Sequence, residues 1–412
     1  MTVLNLPASG TSNAERFVEE HLAHLLDDPR CVEGSKRFVG GRTAALAALE
    51  QFHIAGYAAR RNEVEPRSRR GASGLSPYIR HGLLSLPELW EHVAGGPSRD
   101  VTKFRDELLW QEYARHLYAR VGTASRSALR YEPSGSGTPD LDRTMACLDS
   151  VVTELETDGW MVNQTRMWMA AHWTTRLHGD WRSGEDWMFT HLLDGSRAAN
   201  RLGWQWTVGA GTGKPYGFSR RQVLNRAPGM CDGCSRRDRC PIERWPSEQI
   251  LPPVDAVHPK LYADSAHADT AGPVTVIRSG PGQVDTVWLT AESIGSNDPA
   301  LQANPDTPAL FVFDETLLAR LRLDAKRLVF LTECLIDVAR HHRGPLTVHL
   351  GAPAKVLSGQ RVATTFAPVP GWKRIAALVQ PVEVHPWPWL RQPGPGPAAS
   401  FSAWNGHTRR LP

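Results

Sequence analysis

Apolar positions recur in two different rhythms along this chain of 412 residues. Through residues 41–250 they return at three- and four-residue steps. Leu108, Leu109, Tyr113 and Leu117 make one stripe within 106–120, and Met161, Met167, Trp168 and Ala171 make another in the next long helix. That period gathers each set on one helix face. Strand signals are scarce here, so 41–250 reads as a helical domain. Residues 251–272 lose the period and read as a linker. Beyond them, compact apolar runs at 284–289, 309–313, 346–350, 361–366 and 382–384 read as buried strands. Residues 324–341 read as a helix with Leu328, Leu331, Leu335 and Val338 on one face. Strands alternating with helices predict a parallel, doubly wound sheet, here a Rossmann-like α/β domain over 273–390. Residues 1–40 read as a helical segment or linker with little anchorage. Residues 391–412, rich in Pro and Gly, read as a flexible tail.

Composition narrows the class. Charged residues make up 22% and apolar residues 41%, which excludes a largely disordered chain. No apolar run reaches the roughly 18–20 residues that span a bilayer, and residues 1–13 lack a basic stretch followed by an apolar one. A cytoplasmic protein without a membrane partner is expected. The net charge of +4 is evenly spread, with 32 Lys+Arg against 30 Asp+Glu up to Ile250 and 15 against 13 after it. A nucleic-acid site must therefore be a local patch. Tryptophan stands out, with 15 in the chain and seven of them (Trp160, Trp168, Trp173, Trp181, Trp187, Trp204, Trp206) packed between 160 and 206. A buried indole N–H needs a partner, so this density points to a flavin site, a base-stacking site, an electron route or an aromatic core.

Four motifs carry candidate chemistry. Ser73-Gly74-Leu75-Ser76-Pro77-Tyr78 follows Tyr57 and a run of arginines. Hydroxyls and free N–H groups at a helix start suit a phosphate, though such a segment also serves as a plain helix cap. Glu107 and Trp110 are three apart and share a helix face. A carboxylate beside an indole suits a planar base, and an amphipathic helix is the alternative. The third motif is a series from Gly159 to Trp206: GWMVNQTRM, DWRSGEDW and LLDGSRAANRLGWQW. The fourth is Cys231-Asp232-Gly233-Cys234 with Cys240-Pro241. In a chain with no visible secretory lead it reads as a thiolate metal site rather than a set of disulfides.

Taken in order, these motifs resemble the flavin domain of the DNA photolyase/cryptochrome family, whose patterns are similar to TSxLSPYL, ELxWREF, TGWMHNRxRM, DWRxGExYF and LIDGDxAxNNGGWQW. The resemblance covers about residues 40–220. It implies an all-helical FAD-binding domain in which Tyr57, Ser73, Leu75 and Ser76 hold the FAD phosphates. Arg166 and Asp194 would lie against the isoalloxazine and ribose, and Asn200 beside flavin N5. Glu107, Trp110, Asn163, Met167 and Trp206 match positions that line a pocket for cyclobutane pyrimidine dimers in UV-damaged DNA. Trp204 and Trp181 match the inner members of an electron-transfer chain. The outer member's position falls in 134–139, which has no Trp, leaving Trp168, Trp173 and Trp187 as candidates to replace it.

The resemblance implies a lesion flipped out of the duplex and sandwiched by Trp110 and Trp206, with Glu107 hydrogen-bonding the imide edge and stabilising the charge that follows electron injection. Val162 and Asn163 stand where the (6–4) branch has a His pair, which favours the dimer-type pocket. Ala72, Gln111, Gln164, Val162 and Ser196 depart from the family's Thr, Arg, Arg, His and Asp, and Gln111 and Ser196 remain candidate flavin contacts. Cys147 with Cys231, Cys234 and Cys240 resembles the ligand set of the family's iron–sulfur bacterial branch, which implies a [4Fe–4S] cluster. Zn²⁺ in the same thiolates is the alternative. The α/β part looks like the family's antenna domain, placed last instead of first, so a circular permutation is expected. Residues 291–295 replace its RRDLR-like stretch, which leaves an antenna chromophore open. The implied activity is that of a monomeric, light-driven DNA photolyase. A cryptochrome-type photoreceptor and a flavin/iron–sulfur redox enzyme are the competing readings.

Overall fold

The computed structural model describes residues 2–247 and 249–408. Seven strands form one sheet: β1 (Thr2–Leu4), β2 (Ile277–Arg278), β3 (Thr286–Leu289), β4 (Ala309–Asp314), β5 (Leu346–Gly351), β6 (Val362–Thr365) and β7 (Glu383–His385), in the order β1-β5-β4-β3-β6-β7-β2. The middle five run parallel, and β1 and β2 close the edges antiparallel. The sheet is therefore mixed, with the expected doubly wound centre. Every residue of β3 and β6 is buried, Thr286, Thr364 and Thr365 included, as strands covered on both faces are. Among the described residues of 41–250, every regular element is helical.

The helix Ala325–His341 joins the two parts. Asp324 caps it by accepting from the Lys326 N–H at 3.0 Å. Fourteen of its residues are buried because the sheet covers one side and the helical domain the other. A helix enclosed on all sides must satisfy its own charged groups, and it does so across the joint. Asp337 accepts from the N–H of Arg42 (2.8 Å) and the hydroxyl of Thr43 (2.7 Å), opening the helix Arg42–Glu50. Glu333 accepts from the Gly40 N–H (2.7 Å) and the Thr11 hydroxyl (2.6 Å). Arg327 donates to the carbonyls of Phe189 and Leu192, placing a cation at the end of the helix Trp181–His191.

The ends of the chain are better anchored than the pattern implied. Residues 1–40 are not a loose lead-in, because β1 pairs with β5 and the helix Thr11–Leu22 packs on Ala325–His341. The polar spacing of 11–22 conceals its four buried residues, Ala14, Phe17, Val18 and Leu22. Residues 251–272 and 391–408 pack against the long helix Ser98–Val121. Asp264 is fully buried 3.7 Å from Arg120. Burial pushes the Glu112 carboxyl up to about 7, while its Oε1 accepts from the N–H of Leu390 and Arg391. The tail carries the helix Phe401–Thr408, whose Trp404 is buried and donates its indole N–H to His116 Nδ1 at 2.8 Å. Burial lowers the His116 imidazole to about 3, and the neutral ring accepts at Nδ1 and donates at Nε2 to the Arg391 carbonyl. Residues 409–412 of the predicted tail lie outside the described residues.

The chain passes so close to the central helix at Gly40 that a Cβ there would meet the Phe330 carbonyl oxygen at 2.1 Å. Gly40→Ala is expected to cost about 3 kcal/mol, read as a lower urea midpoint. Gly371→Ala, with open space at the Cβ, should stay within about 0.5 kcal/mol of the parent.

Candidate active site

One cavity of about 1310 Å³ lies between the helical domain and the carboxyl ends of β3 and β4. Open α/β sheets place ligands at such strand ends, and this volume exceeds the usual range for a small-molecule pocket. Its helical wall is built from four segments that are distant in sequence.

The first segment surrounds Tyr57. Asp100, on the long helix, accepts from the N–H groups of Gly56 and Ala58, both at 2.8 Å, and these two bonds lower its carboxyl below the usual range. They fix Tyr57, whose phenol burial raises well above its ordinary value. The second segment is the turn before the helix Ser76–Arg80. Gly74 has φ +69, a conformation that glycine adopts without strain. Ser73, Gly74 and Ser76 line the cavity, and Ser76 Oγ accepts from the Trp160 indole at 2.9 Å. Leu75 instead points into the core, fully buried.

The third segment is the helix Ser98–Val121. Glu107, Trp110 and Gln111 face the cavity. The Glu107 carboxylate pairs with Arg61 (3.2 Å) and Lys103 (3.0 Å). Trp110 is stacked on Phe401 of the tail helix, with centroids 4.0 Å apart and planes 10° apart.

The fourth segment runs from 163 to 206. Asn163, Met167, Arg166, Asp194, Ser196, Asn200, Trp204 and Trp206 all line the same cavity. Arg166 pairs with Asp194 at 2.8 Å, and the other carboxylate oxygen, Asp194 Oδ1, is buried without a partner. The Trp204 indole N–H is likewise buried and unpartnered. Asn200 donates to Glu185 Oε1 at 3.4 Å, and Glu185 is itself clamped by Arg197 (2.7 Å) and Arg201 (3.1 Å). Ser196 Oγ accepts from the Ala198 N–H at 3.0 Å.

Trp181 does not line this cavity; it is buried with Arg182 over its ring at 4.7 Å. The ring contacts of Trp204 lead to Trp173 (6.3 Å), and those of Trp173 to the half-buried Trp187 (5.7 Å, 19° between planes). Gly184 permits this approach, since a Cβ there would meet Trp204 at 2.3 Å and Trp173 at 2.9 Å. Trp168 stacks on Phe218 in the core. In the α/β layer, Glu292 is tied to Arg80 at 2.7 Å, and of the 291–295 stretch Ala291 and Glu292 line the cavity floor.

Cys147, Cys231, Cys234 and Cys240 line a separate cavity of about 10 Å³. Burial and the neighbouring thiols push the Cys147 thiol up to about 12. Among the described residues, no group of three or more His, Cys, Asp or Glu is set to hold a metal ion.

Sequence reasoning overlooked Asp100, Lys103, Glu185, Arg327 and Phe401. Glu185 stands inside the DWRSGEDW motif but carries no assigned role there; Asp100, Lys103 and Arg327 act through other residues and belong to no motif, and Phe401 lies in a tail with no clear period.

Residues 104–225 match the family model described as the FAD binding domain of DNA photolyase. A deoxyribodipyrimidine photo-lyase from Synechococcus is 29% identical over 251 residues, covering 53% of this chain and 47% of that protein. The Escherichia coli deoxyribodipyrimidine photo-lyase is 32% identical over 229 residues, covering 48% and 46%. A solved class III photolyase from Agrobacterium tumefaciens aligns with 28% identity over 40% of this chain and 37% of that one, with a TM-score of 0.34. The chain spans about half, or less, of the length of these relatives.

Proposed function

We propose that this protein is a light-driven, FAD-dependent photolyase that splits cyclobutane pyrimidine dimers in DNA. The observation that carries the proposal is the convergence of two residue sets on one cavity. Arg166, Asp194, Asn200 and Trp204 suit a flavin, and Glu107, Trp110, Asn163, Met167 and Trp206 suit a flipped-out lesion. The buried, unpartnered Asp194 Oδ1 and Trp204 indole N–H await polar groups of a guest, which fits a flavin. When bound, reduced FAD supplies the photo-excited electron that opens the dimer.

The chain's own residues bind and orient. Trp110 and Trp206 bracket the dimer's apolar ring, and each such stacking contact is worth roughly 1–3 kcal/mol. Phe401 keeps Trp110 from turning aside. Glu107 accepts the thymine imide N–H, while Arg61 and Lys103 offset its negative charge next to the electron-rich dimer. Trp204, Trp173 and Trp187 give a chain of indoles from the cavity to the half-buried Trp187, a course alternative to the Trp181 step. The family's antenna-type α/β layer follows the helical domain here, which we read as a circular permutation. No helix among the described residues is long and apolar enough to cross a membrane.

We assign Cys147, Cys231, Cys234 and Cys240 to a [4Fe–4S] cluster. What supports the assignment is that the four cysteines line one small cavity, and thiolates are the ligands such clusters take. The cluster would brace the helix Ala146–Asp158 against the 231–240 segment. Zn²⁺ is the alternative.

Three outcomes are expected. Blue light on the reduced protein with dimer-containing DNA removes dimers, and Glu107→Ala slows that removal at least about 10-fold. Binding without light-dependent dimer loss would leave a photoreceptor instead. Trp187→Phe and Trp173→Phe lower the yield of the transient tryptophan radical seen by absorption spectroscopy, and Trp181→Phe does not; the reverse pattern returns the outward path to Trp181. Iron and acid-labile sulfide come out at about four each per chain, fall in Cys147→Ser, and are replaced by zinc only if the alternative holds.

A further inference from the structure

The aromatic wall of the cavity continues past its mouth. Trp206 is 41% exposed and its ring lies 5.7 Å from Tyr216. Tyr216 lies 6.1 Å from Trp245, which is 55% exposed. The row is built in place. Gln222 donates to the Tyr216 hydroxyl at 2.6 Å. Trp245 rests against Gly217, where a Cβ would meet the indole at 2.3 Å. Indoles this exposed are unusual, and an exposed aromatic row running out of a site calls for an occupant.

Charge identifies the occupant. Residues 214–247 hold eight Lys/Arg against three Asp/Glu, a local excess larger than the net +4 of the whole chain. Arg221, Arg237, Arg239 and Arg244 are exposed. This is a local basic patch beside the aromatic row, separate from the arginine run that follows Tyr57. Aromatic faces interleaved with cations are how proteins hold single-stranded nucleic acid, with bases on the rings and phosphates on the guanidinium groups.

We propose that Tyr216 and Trp245 extend Trp206 into a stacking ledge for the unpaired nucleotides that flank the lesion, so that the protein grips single-stranded DNA independently of damage. The direction of the strand past the cavity rests on the repair reading; the ledge itself does not. A duplex keeps its bases inside and cannot stack on the row, so single strands are preferred over duplex of equal length.

The test is an anisotropy titration of the full chain, flavin bound, with a labelled, undamaged 16-nucleotide oligothymidylate. Trp245→Ala should weaken binding roughly 5- to 100-fold with the salt slope unchanged, because stacking releases no counterions. Trp245→Phe should restore most of the affinity, and Leu224→Ala, an exposed apolar change outside the row, should match the parent. Equal binding by Trp245→Ala and the parent overturns the ledge. So does a parent that binds no oligothymidylate. Self-association that Trp245→Ala abolishes, with DNA binding untouched, overturns it in favour of a second copy as occupant. Light-driven dimer loss by the parent is measured alongside. Its absence with oligothymidylate binding intact removes the repair reading and keeps the ledge, and its presence with unaltered Trp245→Ala binding does the opposite.

Discussion

A helix buried on every side has to carry its charges inward, and that constraint organises this molecule. Ala325–His341 could have been filled with apolar residues and would then have packed against either layer at many angles. Instead Arg327 and Asp337 each reach a specific backbone group of the helical domain, and Glu333 reaches the Gly40 N–H just before it. An unpaired buried charge is far costlier than a lost apolar contact, so only one docking of the two layers satisfies all three. Arg327 bonds Leu192, two residues before Asp194, so the same clamp that joins the layers also sets the turn carrying the Arg166 partner.

The cavity inherits its shape from this joint. Its helical wall is polar along Ser73, Ser76, Arg166 and Asp194 and aromatic along Trp110, Trp204 and Trp206. Its floor comes from the sheet's strand ends. Neither layer closes it alone. The Asp194 Oδ1 and Trp204 indole N–H are buried without a protein partner, and any guest that bonds them in the folded state alone stabilises it by mass action. Binding energy and fold stability are linked through those two atoms.

Much of this was legible in the sequence for identifiable reasons. The strands of the sheet centre were found because a strand covered on both faces leaves an unbroken apolar run, as in 309–313. Spacing alone put Glu107 and Trp110 on one helix face, and the other cavity residues were legible only through the resemblance of their motifs to a known flavin domain. Three kinds of feature escaped. Short antiparallel edges such as β1 have only three residues and no period. The tail helix contains Pro-flanked, weakly patterned sequence whose burial is set by His116 and Tyr113 on a distant helix. The ring contacts Trp204–Trp173–Trp187 depend on Gly184, and a missing side chain leaves no hydrophobic signal. Leu75 shows the opposite failure, in which a residue inside a correctly placed motif directs its side chain to the core.

The stack of Phe401 on Trp110 has a consequence in time rather than space. The two rings come from opposite parts of the chain, and contacts of that separation form after local ones because a long loop must close first. Trp110 sits on its helix early, yet its plane is fixed only when the tail helix has docked. The wall of the cavity is therefore among the last surfaces to acquire its shape as the chain folds. The contacts that dock the two layers, such as Asp337 with Arg42 across 295 residues, close loops just as long, so the site takes its shape together with the joint and not on a finished scaffold.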